Sequence, residues 1–457
     1  MLAAVHGAGE LVAGWGRAGA TRAAVARPTR REEVAALLQA GRADQLVPRG
    51  LGRAYGDAAQ RAGGTVVECT GLDRVLELDP LVGRVRVEGG CSLEALLRRV
   101  VPAGWFVPVT PGTRHVTLGG AVAADVHGKN HHRDGSIGAH LDAVELCTPS
   151  GTFRLTPGGD DGALLEATLG GMGLTGVVTE VTLRLLPIET ASLLVDTERA
   201  EDLDDCMARM VEGDARYRYS VAWVDCLARG GRLGRAVLTR GDHAPLEALP
   251  LAARPRALDY APRTLVDLAR VPAVRVLSPP LVAALNEAWF RKAPRRREGE
   301  LQGITPFFHP LDGVGGWNRA YGRLGFTQYQ LVVPPAAGEV VRQVLERLAA
   351  RRVPSYLGVL KRFGEAGRGH LSFPTPGWTL ALDLPLGVPD LAVALDELDE
   401  LVVGAGGRVY LAKDGRVRPE LLGSMYPRLE PWRAVRRRVD PAGVLCSDLG
   451  ARLGLCG

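Results

Sequence analysis

The run Arg49-Gly-Leu-Gly-Arg-Ala-Tyr-Gly-Asp57 follows directly on a short apolar segment, Leu46 to Pro48, and carries glycines at 50, 52 and 56. Glycine turns a chain sharply and lets backbone N–H groups approach an anion without side-chain interference. The stretch reads either as a phosphate cradle or as an ordinary turn leaving a strand. It is not a G-x-x-x-x-G-K-[ST] phosphate loop, and its spacing does not fit the G-x-G-x-x-G turn of a dinucleotide helix.

A second run shifts the balance toward ligand binding. Pro111-Gly-Thr-Arg-His-Val-Thr-Leu-Gly-Gly120 continues through Ala124-Asp-Val-His-Gly-Lys-Asn-His-His132, dense in small and hydroxyl residues, and His115, His127, His131, His132 and His140 make up five of the nine histidines. Adjacent His131 and His132 without a matching carboxylate or cysteine pattern do not reproduce common zinc spacing, so no metal is expected. A third glycine run, Gly170-Gly-Met-Gly-Leu-Thr-Gly176, precedes a β-branched strand, Val177 to Leu186.

Outward from these runs, helical spacing covers Arg30 to Ala40, and strands are expected at Thr65 to Glu68, Arg74 to Leu78 and Arg84 to Glu88. Ser92 reads as the cap of a helix carrying Leu93, Leu96, Leu97 and Val100. Pro108 to Leu141 reads as structured loop, followed by a hairpin of Ala143 to Thr148 and Thr152 to Leu155. Beyond about residue 190 come an acidic helix, Glu198 to Val211, an aromatic strand, Arg218 to Asp225, and a Pro/Arg-rich stretch, 243 to 310, expected to be flexible. Amphipathic pieces, Leu265 to Val276 and Leu281 to Phe290, interrupt that stretch. Strands at Gln328 to Val333, Tyr356 to Arg362 and Trp378 to Leu384, with helices at Gly338 to Arg351 and Asp390 to Val403, predict an α+β unit on an antiparallel sheet.

The 457 residues suggest about two domains, and 56 basic against 51 acidic side chains leave no nucleic-acid footprint. Seven cysteines without a Cys-x-x-Cys pair read as reduced thiols in a cytoplasm-like compartment. Met1 to Gly16 lacks the pattern of a secretory signal, and no long apolar run is present, so a soluble or membrane-peripheral protein is expected. Only Lys129, Lys292, Lys361 and Lys413 among the basic residues are lysines. Where arginine fills nearly every generic position, a surviving lysine invites reading as an amine that can lose its proton.

The runs RGLGRAYGD, PGTRHVTLGGAVAADVHGKNHHRDGSIG, GGMGLTG, YLGVLKRFG, LSFPTPGW and GGRVYLAKDGR, with MYPR and RVDP after them, closely resemble the decaprenylphosphoryl-β-D-ribose 2-oxidases, flavoproteins of the vanillyl-alcohol oxidase type. The resemblance spans Gly14 to Asp448 and is weakest between 243 and 310. It implies an α+β fold with a two-part FAD-binding domain, residues 1–191 and 408–457, and an inserted substrate domain, 192–407. It places FAD against Arg49, Gly50, Leu51, Gly52, Arg53, Ala54, Tyr55, Gly56, Asp57 and Ala58, with further contacts from Gly112, Thr117, Gly119, Gly120, Ala124, Asp125, His127, Val178 and Tyr410. Many members of the wider superfamily attach FAD through a histidine where this chain has Arg53, so non-covalent FAD is expected.

For the chemistry, the resemblance implies oxidation of the 2-hydroxyl of a polyprenylphosphoryl ribose, the first half of an epimerisation to arabinose for cell-wall synthesis. A separate NAD(P)H-dependent short-chain reductase would complete it. Substrate would lie among Tyr55, His127, Lys361, Gln328, Gln330 and Lys413, with Trp223 as a wall. Lys413 is the first choice to take the hydroxyl proton, since burial shifts an amine toward neutrality, and His127 is the second. A salt bridge from Lys413 to Asp414 is the competing structural reading. Three of the four lysines, 129, 361 and 413, fall within the quoted runs. The resemblance also aligns Ala381 with a cysteine of the mycobacterial enzymes, and turnover is expected to survive that change. Arg291, Lys292 and Arg295 to Arg297 suit a prenyl phosphate or an anionic membrane surface. Two other readings stay open: oxidation of a different sugar, cyclitol or nucleoside hydroxyl, and a non-catalytic flavin- or sugar-binding protein.

Overall fold

Val177–Arg184, rich in valine and threonine and buried almost end to end, forms the centre of a five-stranded antiparallel sheet. Arg84–Glu88 and Leu141–Thr148 flank it, with Val75–Asp79 and Gly151–Leu155 at the edges. In this computed structural model, which describes residues 9–40 and 45–456, a second sheet of four strands lies N-terminal to the first. Thr21–Ala26 and Leu46–Arg49 both run parallel to Thr65–Glu68, and the helix Arg31–Ala40 crosses between them on its buried Val34 and Leu38. Part of the stretch read for a secretory signal, residues 1–8, lies outside the described residues.

Eight of the remaining strands build one antiparallel sheet. Its order is Arg296–Gly303, Ser192–Ala200, Ala236–His243, Tyr219–Val224, Leu357–Phe363, Gly377–Pro385, Phe326–Val333 and Arg408–Val409. One face, carrying Ala222, Leu238, Leu331, Leu360, Leu380 and Leu382, packs with helices Leu203–Gly213, Glu339–Ala350 and Leu391–Gly404 into the largest core. After Arg408–Val409 the chain returns to its beginning. Leu46 donates its N–H to Val444 O at 2.7 Å, Cys446 donates to Leu46 O at 2.8 Å, and Trp432 Nε1 reaches Ala167 O at 2.9 Å. The whole is an α+β fold.

Several sequence expectations change. Glu198 to Ala200 belongs to a strand, because the segment pairs residue for residue with Ala236–His243 and the Glu198 carboxylate is neutralised by Arg209 and Arg240. The helix begins only after Asp202, whose side chain accepts the Asp205 N–H at 2.9 Å and caps it. The loop Pro108 to Leu141 contains short helices, Leu118–Ala123 and His131–Asp134. The stretch 243 to 310 carries the helix Pro279–Lys292, the edge strand Arg296–Gly303 and the helix Ile304–Phe308. Cys446 and Cys456 form a disulfide, so the cysteines are not all reduced thiols and they no longer argue for a reducing compartment. No described helix is long and apolar enough to cross a membrane.

Candidate active site

Strand register aligns the polar residues of the large sheet on the face opposite its helices. Gln328 stands opposite Asp383, Gln330 opposite Ala381, Val359 between Ala381 and Trp223, and Lys361 opposite Thr379. Because side chains alternate with period two, these residues share one face. Trp223 lies on it, partly buried and three strands from Gln330, with Val359 and Ala381 between them. Ala381 lies at its middle.

Tyr55 and Lys413 arrive at this face from the two ends of the chain. Tyr55 N–H donates to Ala412 O at 3.0 Å, and Phe326 meets the Tyr55 ring edge-on. The approach is close: a Cβ on Gly56 would lie 1.7 Å from Asp414 O, so only glycine permits the two segments to dock. Lys413 Nζ lies 3.8 Å from the centroid of the Tyr55 ring. Burial pulls its pKa down to about 7, with Asp383 opposing the shift and Lys361 adding to it. The competing bridge to Asp414 is not formed; that carboxylate takes Arg452 at 2.9 Å and the N–H groups of Arg416 and Val417.

Asp383 was missed in the sequence reading. It sits in a strand that is buried throughout, accepts Gln328 Nε2 at 2.6 Å, and burial raises its pKa to about 6. The signal was a lone acid in the apolar run Trp378-Thr-Leu-Ala-Leu-Asp-Leu384, since a buried carboxylate needs a partner or a task. Burial holds the Tyr55 phenol well above its ordinary range, so it stays protonated.

On the other side, Gln330 Nε2 lies 3.0 Å from His127 Nε2 and 3.2 Å from Thr379 Oγ1. An amide nitrogen only donates, so His127 Nε2 accepts and the ring proton is assigned to Nδ1. That Nδ1 is buried and has no partner among the described residues. Burial, then the charge of Lys361, drives the His127 pKa well down, so the ring is neutral. Lys361 is itself lowered by burial to about 8, and its charge is felt at His127, Lys129, His131 and Lys413, which places it among all four. Lys129 donates to Phe307 O and falls to about 7 through burial and Lys361. The other histidines of the cluster take separate partners: His115 meets Glu94, His131 accepts from Gly364 N, and His132 and His140 bond the carbonyls of Tyr217 and Asp134.

The glycine-rich loop leaves the C-terminal end of the parallel strand Leu46–Arg49, where α/β sheets hold ligands. Gly52 has φ +64°, and none of the N–H groups of Leu51, Gly52, Arg53 and Ala54 donates to another described residue. Four consecutive unclaimed donors suit an anion. Thr117 Oγ1 packs on Gly50 and caps Leu118–Ala123 by accepting Gly120 N at 3.1 Å, with Gly119 close against the Val178 carbonyl. Gly112 faces open space. Tyr410 donates to Ala124 O at 2.8 Å and stacks on Phe373. Some expected contacts are otherwise engaged: Arg49 bonds Ala59 O and Ala13 O, Asp57 pairs with Arg452, and the Asp125 carboxylate takes Ser372 and Gly138. The Arg53 guanidinium lies 3.8 Å over Trp15.

Comparison with known proteins agrees with this geometry. Residues 22–156 match the FAD binding domain family. Decaprenylphosphoryl-β-D-ribose oxidase of Mycolicibacterium smegmatis is 40% identical over 449 residues, 97% of either chain. A Streptomyces coelicolor protein described only as lying in the mprA 5′ region is 46% identical over 80% of this chain and its own full length. L-gulono-1,4-lactone dehydrogenase of Mycobacterium tuberculosis strain H37Rv is 23% identical over 94% of this chain and 95% of its own. The unclaimed loop donors and the orphaned Nδ1 of His127 fit a bound FAD. The chain belongs to the decaprenylphosphoryl-β-D-ribose oxidase family of FAD-dependent oxidoreductases.

Proposed function

We propose that this protein oxidises the 2-hydroxyl of a polyprenylphosphoryl ribose to the 2-keto sugar, using non-covalently held FAD. The observation that carries the reading is a lysine lowered to about 7 against Tyr55, on a polar sheet face beside a cradle of free N–H groups. The 40% identical relative is named as an oxidase of decaprenylphosphoryl-β-D-ribose. FAD, when bound, supplies the hydride acceptor. The cradle from Gly50 to Ala54 would hold its diphosphate, and His127 Nδ1–H would donate a hydrogen bond to the cofactor.

Lys413, part neutral at physiological pH, takes the proton of the 2-hydroxyl. Gln328, held by Asp383, and Gln330, held on His127, orient the sugar hydroxyls, with Trp223 as a wall. Lys361, lowered only to about 8, keeps most of its charge and attracts the substrate's phosphate. The same reading divides the chain into a FAD-binding domain, 1–191 and 408–457, around a substrate domain, 192–407, with the seam running through Arg408–Val409. The keto product then needs an NAD(P)H-dependent reductase to reach arabinose for the cell wall. A lipid-linked substrate brings the protein to a membrane surface.

Trapping the product with borodeuteride tests this directly. Deuterium at C2 of the sugar supports the reading; label at another carbon, or none, moves the activity to a different alcohol.

A further inference from the structure

The helix Pro279–Lys292 has two apolar stripes. Val282, Asn286 and Phe290 are buried, while Leu281, Leu285 and Trp289, each one position earlier, are 40%, 53% and 52% exposed. Residues four apart stand in line on one helix face, so the outer three form a continuous ridge that no described residue covers. The segment leading into the helix adds exposed Leu265, Val266, Val271, Val274 and Val276. It is not a loose loop: Leu265 N bonds Gly313 O at 2.8 Å, Leu268 N bonds Gly315 O at 2.6 Å and Val276 N bonds Ala320 O at 3.0 Å.

Charge follows the same surface. Residues 254–292 hold seven basic side chains against three acidic ones, an excess of four in a chain whose total excess is five. Arg256, Arg263, Arg270 and Arg275 are exposed and Lys292 closes the helix, while Arg291 beside it is paired with Glu287. By contrast, Arg296 and Arg297 of the neighbouring edge strand are paired with Glu298 and Glu300, which removes them from the basic surface.

The inner stripe leads to the candidate site. Val282 packs in one cluster with Tyr321, Phe326 and Tyr356, against which Tyr55 and Trp317 also lie. Asn286 Nδ2 donates to Asp225 Oδ1 at 2.7 Å and fixes the helix on the sheet.

We infer that this helix and the segment before it dock the protein on an anionic lipid bilayer. Leu281, Leu285 and Trp289 enter the boundary between headgroups and acyl chains, and the arginines meet the lipid phosphates. A tryptophan beside a cationic helix end suits that boundary, where one side is apolar and the other wet. The surface stands on its own exposure and charge; only its use, delivering a lipid-linked sugar to the mouth beside Tyr55, rests on the proposed substrate.

The test is cosedimentation of the FAD-loaded protein with vesicles of equimolar phosphatidylcholine and phosphatidylglycerol, without substrate. The wild type should pellet with these vesicles and far less with phosphatidylcholine alone. Leu285→Ser with Trp289→Ser should weaken binding at least about tenfold, since two large apolar side chains no longer leave water, and should leave flavin content and circular dichroism unchanged. Arg295→Ser, Arg296→Ser and Arg297→Ser together should change binding little. Equal binding by the stripe variant overturns the inference. So does a wild-type dimer that the stripe variant abolishes while vesicles bind neither protein, because the stripe then covers a second copy. Vesicle binding and ribose oxidation are read separately, so either can fail without the other.

Discussion

Lys413 Nζ sits 3.8 Å from the centre of the Tyr55 ring, although one residue lies near the start of the chain and the other near its end. A tyrosine face attracts a cation by about 0.5–2 kcal/mol, which alone would hold the amine protonated. Burial outweighs it and the pKa falls to about 7. Lys413→Ala should slow substrate-driven flavin reduction by roughly 10²–10⁴-fold while FAD stays bound, as stopped-flow absorbance will show. Unchanged reduction removes the proton-accepting role.

The same shift sets a pH profile. The acceptor is the neutral amine, so the reduction rate should rise with pH through about 7 and level off above it. Lys413→Arg, which cannot lose its proton in this range, should not restore the rate. A rate independent of pH between 5 and 9 would count against a titrating acceptor of roughly that pKa.

Asp383 gives the opposite kind of test, one on stability. Its folded pKa of about 6 lies above the ordinary 3.8, so the folded state holds the proton more tightly. Its contribution is fully present below about pH 4 and is lost as pH rises to about 6, a change of roughly 2–3 kcal/mol. Asp383→Asn should flatten that part of the Tm profile and, by loosening Gln328, raise KM more than it lowers kcat. A variant whose Tm tracks the wild type across this window contradicts the assignment.

Gln330→Leu leaves the buried His127 Nε2 without its donor. Loss of one partner of a buried hydrogen bond costs about 1–3 kcal/mol, measurable by urea unfolding. Gln330→Glu, which brings a carboxylate beside a neutral ring, should raise the His127 pKa and show it by NMR titration. If the ring pKa does not move, the two side chains are not in contact.

Much of this was legible in the residues. The β-branched run at Val177, the Ser92 cap, which accepts Ala95 N at 3.1 Å, and the three glycine runs all act locally, and local chemistry is what a sequence displays. Asp383 was hidden because its role depends on register with Gln328, 55 positions away. Glu198 was read as helical because its acidic neighbours were visible and its neutralising partners, Arg209 and Arg240, were not. The Cys446 to Cys456 pairing depends on how the C-terminal turn folds back beside Leu46, which no spacing rule states.

That disulfide encloses the segment bearing Arg452, whose guanidinium joins Asp57 of the first glycine loop to Asp414 beside Lys413. Cys456→Ser should lower stability by roughly 2–3 kcal/mol, the loop-closure value for a ring of this size. FAD should also bind more weakly in titration. A variant with wild-type Tm would show that the crosslink does not constrain the unfolded chain.

The central claim is tested most directly by an anaerobic titration of the FAD-loaded protein with polyprenylphosphoryl ribose, following the absorbance of the oxidised flavin. Rapid, stoichiometric bleaching is the predicted result, and after acid denaturation the flavin should appear in the supernatant rather than on the protein. A flavin that stays oxidised at saturating substrate would contradict the proposed oxidation.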